Sequence, residues 1–200
     1  MTINFTHYGT LRDDFWQASP DIFIGYGRAG NDTFYGSDVE DVLYGNKGND
    51  TLFGNSGRDF LSGGNGSDTL YGGFGNDEIS GGSGNDYLIG YGGGSSTDAE
   101  FDFDTLRGDA GSDTFVLGET FAFYASPFFG SIGDYLNDEH ARIIDFRRAD
   151  GDKLQVFGSA SDYSIEQNIF GGSYLSYQGN WIAVLENVTD LNLQLDFNFV

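Results

Sequence analysis

The chain of 200 residues has no cysteine, only two prolines and only nine basic residues. Without cysteine it can form neither disulfides nor thiolate metal sites. Because 31 acidic residues oppose those nine lysines and arginines, the formal net charge is −22, which argues against nucleic-acid binding. No apolar run approaches the roughly 20 residues that a membrane-spanning helix needs. We therefore expect no membrane span.

Glycine is abundant, with 32 residues, and from Gly27 to Val116 it marks a repeat of nine residues. Typical blocks are GNKGNDTLF (45–53) and GGNGSDTLY (63–71). The eighth residue of a block is a large apolar one, such as Leu52 or Leu70. The sixth residue is an aspartate at almost every repeat, namely Asp32, Asp41, Asp50, Asp59, Asp68, Asp77, Asp86, Asp104 and Asp113.

The repeat predicts an all-β solenoid. Glycine permits left-handed backbone conformations, so the first six residues of a block predict a tight turn. The last three predict a short strand, in which the eighth side chain points opposite to the seventh and ninth and faces a core. Two blocks then form one coil of eighteen residues, and successive coils stack as parallel strands about 4.8 Å apart.

Stacking predicts two columns of aspartates. We expect one to hold Asp32, Asp50, Asp68, Asp86 and Asp104, and the other Asp41, Asp59, Asp77 and Asp113, with residues 90–107 forming one distorted coil. Carboxylates about 5 Å apart repel one another and would protonate or separate if left alone. Calcium relieves this best, because it accepts many oxygen ligands in flexible geometry, whereas transition metals prefer His or Cys. We predict these aspartates as ligands of several Ca²⁺ ions.

The turns need not all bind equally. Val39 stands where the fourth glycine is expected, so we expect the turn that holds Asp41 to bind weakly. The alternative is that Gly and Asp serve only as turn formers. That alternative explains one or two blocks, but it does not explain an aspartate that keeps its place while its neighbours vary.

The blocks GGNGSDTLY, GGFGNDEIS and GGSGNDYLI match the pattern G-G-x-G-x-D-x-U-x in full, and this pattern resembles that of the repeats-in-toxin (RTX) family. The resemblance implies a right-handed parallel β-roll with calcium between neighbouring coils. It also implies export by a type I secretion machinery that reads an uncleaved C-terminal signal, and the ending QLDFNFV resembles one. We therefore expect a secreted, extracellular protein that folds when it binds calcium outside the cell.

The repeat divides the chain into three parts: an N-terminal cap (1–26), the calcium-binding β-roll (27–116) and a C-terminal β cap with the secretion signal (117–200). The run IIDFRRADGDKLQVFG is similar to the segment that follows the repeats in many RTX proteins. Residues 178–180 between two apolar runs predict a hairpin. The basic residues of this part, Arg142, Arg147, Arg148 and Lys153, are expected to balance the acidic roll.

We predict a structural or binding module rather than an enzyme, because the chain has neither H-E-x-x-H nor G-x-S-x-G. The alternative is a carbohydrate-binding accessory module of a polysaccharide-modifying system. Its basis is an outward stripe, Tyr35, Phe53 and Tyr71, whose rings could stack on sugars; cross-strand stabilisation explains the stripe as well. Binding to a protein partner is also an alternative, and ice binding through outward threonines is a third.

Overall fold

The structure is a computed structural model, and it describes residues 5–18, 21–91, 103–117, 141–167, 171–177 and 180–200. These residues contain no α-helix, and so none long and apolar enough to cross a membrane. Two short 3-10 helices occur at Arg148–Asp150 and Ala160–Asp162. The strands are β1 (Phe5–Tyr8), β2 (Phe15–Gln17), β3 (Phe23–Tyr26), β4 (Thr33–Tyr35), β5 (Val42–Lys47), β6 (Thr51–Ser56), β7 (Phe60–Asn65), β8 (Thr69–Phe74), β9 (Glu78–Ser83), β10 (Tyr87–Tyr91), β11 (Thr105–Ala110), β12 (Thr114–Leu117), β13 (Ala141–Ile143), β14 (Lys153–Val156), β15 (Tyr163–Gln167), β16 (Ser173–Tyr177), β17 (Asn180–Leu185) and β18 (Phe197–Phe199).

Consecutive strands of the repeat alternate between two sheets. The first sheet has the order β1-β3-β5-β7-β9-β11-β13-β17-β16-β15, and the second has β18-β14-β12-β10-β8-β6-β4-β2. Within the repeat all pairings of the described strands are parallel. The register is eighteen residues up to β10, as in Thr33 opposite Thr51, and twenty-seven residues where β9 pairs with β11 and β10 with β12. The prediction of an all-β parallel solenoid is confirmed. The right-handed sense of the coils stays a prediction.

The core is a double column of the eighth-place side chains. Because these residues point inward on both sheets, they face one another and exclude water, and each such burial contributes about 1.5–3 kcal/mol. Their exposed fraction is 0–1%: Phe34, Leu43, Leu52, Leu61, Leu70, Ile79, Leu88, Leu106 and Phe115. At the N-terminal end the rings of His7 and Trp16 stack over the core with centroids 3.6 Å apart.

The expectation that residues 90–107 form one distorted coil is wrong, because β11 directly follows β9 in the first sheet and β12 directly follows β10 in the second. Tyr87 of β10 lies opposite Thr114, and Glu78 of β9 lies opposite Thr105, so both pairings have a register of twenty-seven residues. Residues 92–102 lie outside the described ranges. The prediction was wrong because eighteen residues fit equally well as one coil or as one nine-residue block with nine residues inserted. Strand pairing, which the sequence does not contain, separates the two.

Both sheets extend beyond the recognised repeat. On the N-terminal side β1 pairs with β3 and β2 pairs with β4, both parallel, so the coil pattern begins before residue 27. On the C-terminal side β13 and β14 add to the two sheets in parallel. The predicted hairpin is confirmed by the antiparallel pairing of β16 with β17, although residues 178–179 lie outside the described ranges. The domain boundaries and the capping role of residues 117–200 stay predictions.

Candidate metal centre

The sixth-place aspartates form two buried columns, one at each edge of the roll. The first column holds Asp32, Asp50, Asp68, Asp86 and Asp113, and the second holds Asp41, Asp59, Asp77 and Asp104. Our expectation had Asp104 and Asp113 in each other's columns, and the register of twenty-seven residues after β9 and β10 is the reason for that error. All nine side chains have exposed fractions of 0–3%.

A ladder of hydrogen bonds links each column. The backbone N–H of each aspartate donates to Oδ1 of the aspartate one coil later, at 2.7 Å from Asp32 to Asp50 and 2.9 Å from Asp86 to Asp113. The second column repeats this, with 2.7 Å from Asp41 to Asp59 and 3.0 Å from Asp77 to Asp104. One carboxylate oxygen per turn therefore holds the coils in register.

The first column has two further members that the sequence analysis missed. The N–H of Asp14 donates to Oδ1 of Asp32 at 2.7 Å, and the N–H of Asp113 donates to Oδ1 of Asp152 at 3.0 Å. The signal for Asp14 was available, because GTLRDDFWQ (9–17) keeps the leading glycine and the sixth-place aspartate. Asp152 lies 39 residues after Asp113, so no regular spacing indicates it.

The second carboxylate oxygen is the unusual feature of the columns. Oδ2 is buried and accepts no hydrogen bond in Asp32, Asp50, Asp59, Asp68, Asp86 and Asp113. A buried acceptor without a partner costs about 1–3 kcal/mol, and more when it is charged. Because the chain repeats this arrangement in six turns, the buried oxygens require a compensating group.

A space beside each such oxygen is kept open by the first glycine of the turn. A Cβ at Gly27 would collide with Oδ2 of Asp32 and with the carbonyl oxygen of Gly45, one coil later. A Cβ at Gly54 would likewise collide with Oδ2 of Asp59 and the carbonyl oxygen of Gly72. A carboxylate oxygen and a carbonyl oxygen thus face the same space, and neither can donate a hydrogen bond to the other.

The electrostatics of the columns are unfavourable without a cation. Burial raises the pKa of Asp50, Asp59 and Asp86 to about 7 and that of Asp113 to about 6, with neighbouring carboxylates adding to the rise. Burial also raises the pKa of Asp32, Asp41 and Asp68. Negative charge at these positions is therefore destabilising in the metal-free fold.

The residues present fit a hard cation that accepts main-chain oxygen. In the described part of the chain, no three His, Cys, Asp or Glu side chains converge on one point, so side chains alone would not complete a shell. One carboxylate oxygen per turn, together with carbonyl oxygens, is a donor set suited to calcium. It is unsuited to zinc or copper, which prefer imidazole or thiolate.

Asp41 differs from Asp59, the next aspartate of its column, whose Oδ2 accepts no hydrogen bond. The Oδ1 of Asp41 accepts the N–H of Phe23 at 2.6 Å, and its Oδ2 accepts both the N–H of Ser37 at 2.5 Å and the hydroxyl of Ser37 at 2.9 Å. Both oxygens are thereby satisfied by the chain. The weak binding that we expect of this turn stays a prediction, and it now has a geometric basis besides Val39.

The aromatic stripe on the second sheet is a column of rings stacked on one another. The Tyr35 and Phe53 centroids lie 4.5 Å apart with 3° between the planes, and those of Phe53 and Tyr71 lie 4.6 Å apart at 9°. Since the rings cover each other's faces, they present mainly their edges to solvent. Sugar rings stack on aromatic faces, so this arrangement does not favour the sugar-binding alternative.

The basic residues of the C-terminal part pair mainly within that part. Arg148 contacts both carboxylate oxygens of Asp196, which is fully buried, and also Asp190. Arg142 pairs with Glu186, and Lys153 donates to the carbonyl oxygen of Leu195. Among the contacts between described residues, the Arg147 side chain reaches back to the repeat and donates to the carbonyl oxygen of Asp109 at 3.3 Å. The expected charge balance is therefore largely local to this part.

Comparisons with known proteins agree with the repeat. A family model described as the RTX calcium-binding nonapeptide repeat matches residues 26–61, 62–95 and 99–119. No curated protein sequence matches the chain. Among solved structures, the extracellular lipase LipA from Serratia marcescens is similar at 15% identity and a TM-score of 0.36. The match covers 100% of this chain and 40% of the lipase chain, so this chain spans well under half of that protein's length.

Proposed function

Because residues 26–119 of this chain are RTX calcium-binding repeats, we propose that it is a secreted protein whose roll assembles on several Ca²⁺ ions outside the cell. In that state it acts as a structural or binding module. One observation carries the proposal: six buried carboxylate oxygens accept no hydrogen bond, each in a turn of the same design.

We assign the ligands among the sixth-place aspartates. Asp32, Asp50, Asp59, Asp68, Asp86 and Asp113 would each contribute Oδ2, while their Oδ1 atoms keep the ladder intact. Asp77 and Asp104 occupy the same column positions and join the assignment. Bound calcium supplies the positive charge that the columns lack. The first glycine of each turn keeps the space open, and the carbonyl oxygen beside it completes the oxygen donors.

The proposed location follows from the calcium concentrations inside and outside cells. Extracellular calcium-binding modules work with dissociation constants of about 10⁻⁴–10⁻³ M, and cytosolic calcium does not reach that range. A glycine-rich chain with a net charge of −22 lacks the apolar content to fold against its own repulsion. We propose that it stays unfolded inside the cell, in a form that a type I secretion channel can pass.

We propose a module without catalytic activity of its own. The described columns use their aspartates in the ladder and in the calcium spaces, and the sequence lacks the zinc-protease and lipase motifs. For the carbohydrate-binding alternative, the stacked rings of Tyr35, Phe53 and Tyr71 expose edges rather than faces, so a structural role of the stripe is preferred.

Calcium titration of the chelator-treated chain tests the proposal. We expect far-ultraviolet circular dichroism to change from a disordered to a β signal, with a cooperative midpoint between about 10⁻⁴ and 10⁻³ M. Isothermal titration calorimetry should report several ions per chain. Magnesium at equal concentration is the control, because it demands octahedral geometry and retains water. A chain that is fully folded without calcium, or that binds none, would contradict the proposal.

A further inference from the structure

The six-residue turns of the roll fall into two backbone classes. In the first class, which we term open turns, the second and fourth residues are both left-handed, with φ of 68–113° and 115–137° respectively. The open turns are 27–32, 45–50, 54–59, 63–68, 72–77, 81–86 and 108–113. Every aspartate whose Oδ2 is buried without a hydrogen bond belongs to one of these turns.

The second class, which we term closed turns, comprises residues 9–14 and 36–41. In both turns the second and fourth residues have no positive φ: these are Thr10 and Arg12 in the first turn, and Ser37 and Val39 in the second. In both, the second residue carries a hydroxyl and directs its N–H to Oδ2 of the sixth residue, at 2.5 Å from Thr10 to Asp14 and 2.5 Å from Ser37 to Asp41.

The hydroxyl contacts of the two closed turns also match. The hydroxyl of Ser37 bonds to Oδ2 of Asp41 at 2.9 Å and accepts the N–H of Val39 at 3.3 Å. The hydroxyl of Thr10 contacts Oδ1 of Asp14 at 3.3 Å and accepts the N–H of Arg12 at 3.2 Å. Two segments of different sequence thus close the turn in the same way.

The open conformation has a cost that the closed one avoids. Arg28, Asn46, Asn55 and Asp109 hold a left-handed backbone in open turns although each has a Cβ. Such strain costs on the order of 1 kcal/mol or more per residue, and it persists where function requires it. The open turns 27–32, 45–50, 54–59 and 108–113 therefore combine backbone strain with a buried carboxylate oxygen that accepts no hydrogen bond, whereas the closed turns have neither.

We propose that turns 9–14 and 36–41 are calcium-independent terminators, in which a Ser or Thr hydroxyl and N–H replace the cation on the sixth-place aspartate. This inference rests on the proposed calcium function and specifies the turns at which calcium binding ends. Asp14 is the first described aspartate of the first column, and Asp41 is the first of the second, where Phe23 occupies the preceding position. Calcium binding thus begins one coil inside the N-terminal end of each column.

The sharpest test converts a closed turn into an open one. The double variant Ser37→Gly/Val39→Gly turns GSDVED into GGDGED, which fits the open pattern. We expect it to bind one more calcium ion per chain than the wild type, counted by isothermal titration calorimetry and by elemental analysis of the dialysed protein. The single variant Val39→Gly is the matched control, and because it keeps Ser37 we expect it to gain no ion. Equal counts in the double variant and the wild type would overturn the inference.

A second test measures the loss of calcium ions when an aspartate is removed, and it does not require any turn to change its conformation. Asp41→Ala is expected to leave the calcium count unchanged, whereas Asp59→Ala in the adjacent open turn is expected to lose at least one ion. Both variants remove one ladder acceptor, and Asp41→Ala also removes the two bonds from Ser37, so it carries the larger structural penalty while we expect it to keep every ion. If Asp41→Ala also loses an ion, turn 36–41 binds calcium and the inference fails. If the wild type itself binds none, the proposed function fails instead.

Discussion

The repeat region and the C-terminal part bury aspartates in different ways. In the open turns, carboxylate oxygens such as Oδ2 of Asp68 are buried with no positive group beside them. In the C-terminal part, Asp196 is just as deeply buried, but Arg148 contacts both of its oxygens. The comparison teaches that buried negative charge in this chain is tolerated where a cation is supplied, either by the chain or by solution. Calcium dependence should therefore follow the open turns and not burial in general.

Removing calcium should have the largest effect and should separate the two regions most clearly. Without a cation the columns keep both repulsion and unsatisfied oxygens, so we expect residues 27–91 and 103–117 to lose most of their amide protection. Residues 141–167 and 180–200 should lose less, because their charges are paired within the chain. Hydrogen exchange with mass spectrometry in calcium and in chelator measures this. An equal loss of amide protection in both regions would contradict the difference that we expect between them.

Breaking the internal pair should destabilise the protein without changing its calcium requirement. Arg148→Met leaves Asp196 buried and uncompensated, which we expect to lower the free energy of unfolding by about 3 kcal/mol. Urea unfolding at saturating calcium measures the loss. Arg142→Met, which breaks a more exposed pair with Glu186, is the control and should cost less than about 1 kcal/mol. A shifted calcium midpoint in Arg148→Met would show that the two regions are not independent.

Two matched aspartate variants should sharpen the comparison within the roll. Asp68→Asn keeps an oxygen for the N–H of Asp50 but removes the charge, so we expect weaker calcium binding and a lower ion count. Asp41→Asn instead disturbs the bonds from Ser37, so we expect a loss of about 1–2 kcal/mol in unfolding free energy and an unchanged ion count. Calorimetry and urea unfolding together distinguish the two effects. Identical behaviour would mean that the turns are equivalent.

The metal-free chain should gain structure on acidification. Burial raises the folded-state pKa of Asp50, Asp59 and Asp86 to about 7, above the ordinary value of 3.8. For groups with a raised pKa, the stability is fully present below the unfolded value and is lost as pH rises through the folded value. We therefore expect more β signal at pH 5 than at pH 8 after calcium has been removed by a chelating resin. An unchanged spectrum over that range would contradict burial of these carboxyl groups.

Much of the roll was predictable because its physics is local. The nine-residue frame placed the strands, the core residues from Phe34 to Phe115 and the stacking of the sixth-place aspartates in two columns. The exchange of Asp104 and Asp113 between columns was not predictable, since it depends on which strands pair across Gly90–Asp104. The Arg148–Asp196 pair joins residues 48 positions apart with no spacing rule to indicate it. The closed turns were predictable in part. Val39 marked one of them as different, but the role of Ser37 depends on the folded turn, which brings its N–H and hydroxyl to Asp41.

The eighteen-residue register has a consequence for how such a chain can change in length. Removing residues 45–62 would delete one whole coil and join Tyr44 to Gly63, leaving every later aspartate in its own column. Removing nine residues of regular repeat would instead send every later strand to the opposite sheet. The roll thus has a fixed repeat length. The nine extra residues between Gly90 and Asp104 lengthen the register there to twenty-seven, and the later strands still alternate between the same two sheets.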